Sequence, residues 1–229
     1  MYYLTPSTME LVEIKEFVAS LAVLTTILQF LSGILVCKQY VVNKTTAEAS
    51  PLPFICGFIS AGIWLLYGLA KHNNKIIMVN TIGVTLMFFY TIIFYLFTIK
   101  KSSVLKQFLA VLVMYIFVIF YNSVEEDKYL LTNILGTMAC SLTLITIASP
   151  LSKLFYVIRR KSTDCLPFPL ILMTFIVSSL WFLYGLLEED VFLWAPNFIG
   201  GTLAAFQLSL FIIYPSVPSS PLITKSTLA

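Results

Sequence analysis

The six residues Trp64–Leu69 read WLLYGL, and Trp181–Leu186, 117 positions later, read WFLYGL. Laid over each other at that spacing without gaps, residues 44–97 and 161–214 agree at 16 of 54 positions. The matches include Lys44/Lys161, Thr46/Thr163, Trp64/Trp181, Leu66/Leu183, Tyr67/Tyr184, Gly68/Gly185, Asn80/Asn197, Gly83/Gly200 and Phe94/Phe211. One structural unit has been written twice in this chain.

The composition says what kind of unit it is. Of 229 residues, 59% are hydrophobic and only 11% charged, against roughly 25% charged in soluble domains. The apolar residues fall in continuous runs of the length an α-helix needs to cross a bilayer core of about 30 Å. The short alternating segments of a membrane β-barrel are not seen. The fold expected is an all-α membrane protein with seven transmembrane helices, at about 17–37, 52–70, 76–99, 104–122, 130–157, 168–187 and 191–214. The N-terminus opens with Glu10, Glu13 and Glu16 instead of a basic region and a small-residue cleavage site, so no signal peptide is expected. The four cysteines, Cys37, Cys56, Cys140 and Cys165, form no CxxC pair and read as buried free thiols.

Basic residues set the orientation. With the N-terminus outside, ten of the fourteen Lys and Arg lie on the cytosolic side: Lys38, Lys44, Lys100, Lys101, Lys106, Lys153, Arg159, Arg160, Lys161 and Lys225. Retention of basic residues on the cytosolic side is the usual determinant of topology, so the expectation is N-terminus outside and C-terminus in the cytosol. The sequon Asn43-Lys44-Thr45 then faces the cytosol and stays unmodified. A net charge of +3 and a single histidine, His72, give no support to nucleic-acid binding or a histidine-based metal site. No Asp, Glu, Lys or Arg lies deep within a span. Ionisable groups at that depth mark proton and ion pathways, so coupling through a buried carboxylate is not expected.

Each copy of the repeat holds three spans, with one left over between them. That odd crossing returns the chain to its starting side, so the two triplets run in the same direction. The expected plan is 3+1+3: an outer N-terminus (1–16), a first three-helix repeat (17–99), a linker-helix region (100–129), a second repeat (130–214) and a flexible cytosolic tail (215–229). Repeats of this kind are related by an axis along the membrane normal, and a binding site lies at their interface.

This plan, with K-S-T at Lys161–Thr163, A-S-P-L at Ala148–Leu151, the doubled W-x-x-Y-G and the Pro196-Asn197…Gly200 segment, resembles the SWEET sugar transporters. That family is an established example of parallel repeats. The resemblance runs from about Phe17 to Pro215, and the wording of Lys161–Leu170 is closer to animal than to plant members. It implies a facilitative, bidirectional carrier of mono- or disaccharides working by alternating access. It also implies residence in the plasma membrane or Golgi and a homo-oligomer, either dimer or trimer.

The repeated residues carry their own chemistry. Asn80 and Asn197 sit in hydrocarbon, where each carboxamide must find partners. One reading is glue between helices. The other is a facing pair whose donors and acceptors match sugar hydroxyls without charge, and this second role is the one the resemblance implies. Pro196 removes a helical hydrogen bond just before Asn197, whereas Val79 precedes Asn80. Trp64 and Trp181 read either as an interfacial belt or as a stacking pair for the C–H faces of a sugar. Trp64 lies about 10 Å inward of Lys71, deeper than a belt needs. Ser60, one turn before Trp64, offers a hydroxyl; its repeat mate is Val177, with Ser178 and Ser179 beside it. Tyr67, Tyr184 and Asp190 read as belt tyrosines and a solvated acid from the residues alone, and as an extracellular gate from the resemblance. Gly68 and Gly185 allow close helix approach at that level. The resemblance also implies an intracellular proline-hinged gate at Pro53, Pro150 and Pro167, with Gly33 in the fourth position. Pro51 and Pro169 read as helix-start prolines.

A seven-span receptor is disfavoured by the internal repeat and by the lack of D-R-Y and N-P-x-x-Y motifs. A related three-helix-repeat protein with a trafficking or receptor role, or one carrying another small solute, stays open. Carriers of amino acids in the related PQ-loop group would show a Pro-Gln pair, absent from this chain. No nucleophile–base set marks an enzyme, and no cofactor is implied.

Overall fold

The computed structural model describes the backbone of residues 6–214 and the side chains of residues 10–147 and 154–214. The tail expected to be flexible, 215–229, lies outside the described residues. The described chain is helical, with eight helices: α1 (Pro6–Leu31), α2 (Gly33–Asn43), α3 (Leu52–Ala70), α4 (Asn74–Phe97), α5 (Lys101–Val124), α6 (Lys128–Arg160), α7 (Phe168–Leu187) and α8 (Val191–Ile213). Helices α1 and α2 make a single span, Glu10–Asn43, interrupted at Ser32, so seven helical segments are long and apolar enough to cross a membrane. The first span is longer than 17–37 at both ends. Polar residues at its start belong to a helix that has already begun at Pro6.

The two triplets are α1/α2–α3–α4 and α6–α7–α8. Within them, α3 packs on α4 and α7 on α8, while α1 packs on α4 and α6 on α8. Across them, α1 packs on α7 and α3 on α6. Every one of these pairings becomes its counterpart when the repeats are exchanged, which is what a two-fold pseudo-axis requires. The linker α5 leans on α3 and α4. Its Tyr115 hydroxyl donates to the carbonyl of Gly62 on α3 (3.2 Å).

Short loops are built alike in both halves. Lys44 and Lys161 end the first helix of each repeat in the left-handed region (φ 52° and 54°). The following threonines, Thr46 and Thr163, are buried and meet the ends of α4 and α8: Thr46 N–H donates to Phe97 O (3.3 Å) and the Thr163 hydroxyl to Tyr214 O (3.5 Å). The four cysteines are free thiols.

Candidate functional site

The site grows from two identical turns. At the end of α3, His72 N–H donates to Leu69 O (3.1 Å) and Asn73 N–H to Gly68 O (2.9 Å). At the end of α7, Glu189 N–H donates to Leu186 O (3.1 Å) and Asp190 N–H to Gly185 O (2.9 Å). Both are Schellman closures with the left-handed residue at His72 (φ 52°) or Glu189 (φ 53°). The residue after it caps the next helix. Asn73 accepts from the amides of Lys75 (3.1 Å) and Ile76 (3.2 Å), and Asp190 from that of Leu193 (3.3 Å). The repeated glycines permit this tight return. A Cβ on Gly68 would stand 3.1 Å from Ile77 N, and one on Gly185 2.7 Å from Trp194 N.

The caps then reach across the pseudo-axis. The Tyr67 hydroxyl donates to the Asp190 carboxylate, 2.8 Å from Oδ1 and 2.7 Å from Oδ2. Its counterpart Tyr184 accepts from Asn73 Nδ2 (2.8 Å). Lys71 Nζ stands 3.5 Å from Asp190 Oδ2, and Lys15 pairs with Glu188 at 2.9 Å. Tyr67 is fully buried and Asp190 is 4% exposed. A solvated acid is therefore not what the chain builds here. The carboxylate is dry, and its hydroxyl, ammonium and backbone partners offset the cost of burying it. These bonds close the molecule at the tyrosine end.

Behind the tyrosines lies a cavity of about 350 Å³ between the two halves, at the lower end of the range of small-molecule sites. Its wall includes all five residues read from the sequence as ligands: Ser60, Trp64, Asn80, Trp181 and Asn197. Thr26, Gln29, Thr143, Thr174 and Ser178 add polar groups, and no charged side chain among the described residues lines it. Opposite Ser60, the polar contribution of the second half comes from Ser178, next to the repeat mate Val177.

The tryptophans are held by a reciprocal exchange. Trp64 Nε1 donates to Thr143 Oγ1 (3.2 Å), and Trp181 Nε1 to Thr26 Oγ1 (2.8 Å). Thr26 and Thr143 are themselves 117 positions apart. Each hydroxyl donates to the carbonyl four residues earlier, Ala22 O (2.7 Å) or Ala139 O (2.9 Å), leaving its lone pairs for the indole. Each indole packs edge-on to the tyrosine one turn on, at centroid distances of 5.5 Å (Trp64–Tyr67) and 5.7 Å (Trp181–Tyr184). With its one N–H committed, a tryptophan has only ring face to offer a ligand. The asparagines match too. Asn80 Nδ2 donates to Ile76 O (2.9 Å) and Asn197 Nδ2 to Leu193 O (2.8 Å), so each carboxamide keeps its oxygen and a second N–H for other partners.

Helix α8 continues through Pro196. The proline has no N–H for the carbonyl of Phe192, and the Cys140 thiol of α6 donates to it instead (3.0 Å). The first repeat has Val79 and Val23 at the corresponding positions and needs no such repair.

At the opposite end the predicted hinge residues sit on four separate elements. Gly33 opens α2 at the interruption of span one. Pro53 lies in the first turn of α3, and Pro167 caps α7. Pro150 is in α6, its side chain outside the described residues. A first-turn proline has no ladder bond to lose, so Pro53 and Pro167 set where the loops join the helices. Gln29 and Thr174 bridge the halves on this side of the tryptophans (3.4 Å).

Sequence reasoning passed over Thr26, Thr143 and Asn73. The sequence carried only their spacing, 117 positions between Thr26 and Thr143 and between Asn73 and Asp190, and not the bonds they make.

Comparison with known proteins agrees with this geometry. The family model for "Sugar efflux transporter for intercellular exchange" matches twice, at residues 16–102 and 133–219. A sugar transporter SWEET1 of Drosophila pseudoobscura pseudoobscura is 42% identical over 203 residues, covering 87% of this chain and 89% of that one. The bidirectional sugar transporter SWEET2 of Arabidopsis thaliana is 34% identical over 190 residues, covering 81% and 80%. A eukaryotic SWEET transporter solved at 3.7 Å superposes with a TM-score of 0.79 at 27% identity, over 87% of this chain and 97% of that structure. With the family model matched in both halves, on either side of one linker helix, this chain belongs to the SWEET family of sugar transporters.

Proposed function

We propose that the protein is a facilitative, bidirectional sugar transporter that moves mono- or disaccharides by alternating access. The observation that carries this reading is the cavity between the halves, lined among the described residues by uncharged groups that include two tryptophans and two asparagines related by the repeat. Sugar hydroxyls find neutral donors and acceptors on Asn80, Asn197 and Ser60, while the C–H faces of the ring stack on Trp64 and Trp181. Carboxamides and indoles reward a polyol without demanding an ion. With no charged group in the wall to couple transport to protons, net flux follows the sugar gradient in either direction.

Tyr67, Tyr184 and Asp190 form the outer gate, closed in this structure. Gly33, Pro53, Pro150 and Pro167 form the inner, hinged one. Opening outward breaks Tyr67–Asp190 and Tyr184–Asn73 while the other ends of the halves draw together. The distribution of basic residues supports an outer N-terminus and a cytosolic C-terminus. Residues 17–99 and 130–214 act as the two moving repeats, with 100–129 as linker. The plasma membrane or Golgi is the proposed location, and a dimer or trimer the proposed assembly.

Counterflow of radiolabelled sugar in proteoliposomes tests the reading. Wild type should accumulate label against preloaded unlabelled sugar, and Asn80→Ala and Asn197→Ala should accumulate less at sub-saturating sugar. Absence of counterflow across a panel of hexoses and disaccharides would refute the function. Undiminished counterflow in both variants would refute the site.

A further inference from the structure

The first span is broken where the fifth is not. Helix α1 stops at Leu31, Ser32 forms a turn and α2 starts at Gly33, whereas α6 runs unbroken through Pro150, 117 positions after Gly33. Across the break the ladder shortens. Ser32 N–H donates to Leu28 O (3.1 Å), and Leu35 N–H to Ser32 O, only three residues back (3.1 Å). The Phe30 carbonyl accepts from another helix: the Tyr90 hydroxyl of α4 donates to it at 3.0 Å. Tyr90 is 3% exposed, and its ring fills the space beside Gly33, where a Cβ would overlap it. The ring also packs against Phe54, next to Pro53 (centroids 5.7 Å, 58°). A side chain inserted into the helical ladder is one of the few recognised causes of a sharp kink, as is a Gly/Ser pair. Both are present here.

We propose that Tyr90 is a positioning residue for transport. By taking the Phe30 carbonyl, its hydroxyl holds span one bent at Ser32–Gly33. It thereby opens the ladder of span one at the carbonyl next to Gln29, the residue matching the Thr146 whose carbonyl Pro150 leaves without an N–H in the second repeat. Glycine at position 33 is then a requirement of the wedge, since any side chain there would displace the Tyr90 ring. Repeat 2 has Gln207 where repeat 1 has Tyr90, so the tyrosine accompanies the glycine and the glutamine the proline. The Tyr90 bond can be made and unmade as α1 and α4 move. Tyr90 is absent from the cavity wall, so its effect falls on the conformational step and leaves sugar contacts intact. The inference rests on the alternating-access reading above only for its effect on rate. The Tyr90–Phe30 bond itself is independent of any substrate.

The test has a structural and a functional arm. Spin labels at the exposed positions Phe17 and Val42, in a background with the native cysteines replaced by alanine, report the length of span one. A straight helix puts these positions about 37 Å apart. Tyr90→Phe, which keeps the ring, should move the distance distribution towards that value from a shorter wild-type one. An unchanged distribution overturns the proposal whether or not the protein carries sugar. In counterflow, Tyr90→Phe should lower maximal rate about five-fold, the worth of one ordinary hydrogen bond, with KM within two-fold of wild type. Tyr90→Ala combined with Gly33→Pro should regain rate over Tyr90→Ala alone, because proline opens the ladder at the adjacent carbonyl, Gln29, and alanine makes room for its ring. A KM effect without a rate effect, or no rescue by proline, would assign Tyr90 to packing and overturn the proposal. If wild type moves no sugar, the transport reading fails while the label distances still decide the wedge.

Discussion

Asn80 and Asn197 spend one N–H each on their own helix and keep the rest of the carboxamide, so truncation should be felt mainly by a ligand. Asn80→Ala or Asn197→Ala should weaken sugar binding by about 1 kcal/mol per lost hydrogen bond, several-fold in Kd, as measured by titration in detergent, with little change in melting temperature. The threonines should behave oppositely. Thr26→Val and Thr143→Val leave an indole N–H unpaired in the wall, at a cost of about 1–3 kcal/mol, seen first as a lower melting temperature of the sugar-free protein. The asparagines and tryptophans were legible in the sequence because a carboxamide in hydrocarbon or a deep indole demands an explanation. Thr26 and Thr143 were not, since a membrane threonine is satisfied by its own helix, and both also make that bond. Their second role depends on a partner in the opposite half. Asn73 stayed hidden for another reason: aspartate replaces it in the second copy, so identity matching skips a pair that geometry treats as equivalent.

The glycines repeated in the two halves are not equally tolerant of a side chain. A methyl on Gly185 meets the backbone of Trp194 at 2.7 Å, whereas one on Gly200 stands 3.3 Å from its nearest neighbour, the Ser178 hydroxyl. Gly185→Ala should therefore destabilise by about 1–3 kcal/mol, and Gly200→Ala by clearly less, a ranking that paired melting curves would check. The seven spans and their division into two triplets could be read from hydropathy and the repeat, because crossing length is fixed by the bilayer. Helix ends beyond the membrane answer to other forces. The starts at Asn74 and Val191 follow from side-chain caps, the stops at Asn43 and Arg160 from left-handed lysines. The interruption at Ser32 involves a tyrosine nearly sixty residues away in sequence. No window centred on residue 32 contains that information.

The seam at the tyrosine end joins the halves through one buried carboxylate, the Asn73–Tyr184 bond and the Lys15–Glu188 pair, so loosening it should change which face of the molecule is open. Tyr67→Phe removes a hydrogen bond to a charged acceptor, worth about 1.5–3 kcal/mol, and should shift the equilibrium about tenfold or more towards opening at that end. Ser60→Cys in the cavity wall, labelled by an impermeant thiol reagent, should react correspondingly faster from that side in the double variant. Topology has its own check. Asn43 should remain unglycosylated in cells, while a sequon placed in the loop of Glu125–Asp127 should acquire a glycan. The sequence supported this orientation through its lysines and arginines, as helices alone carry no sense of inside and outside. The placement of α5 against α3 and α4 makes the two halves unequal. One carries four spans and the larger annulus of lipid; the other carries three. When two coupled bodies swing in a viscous sheet, the one with less drag travels further. The second repeat should then behave as rotor and the first, with its attached linker, as stator. A probe on the outer face of α8 should record a wider excursion relative to the bilayer than one on α4.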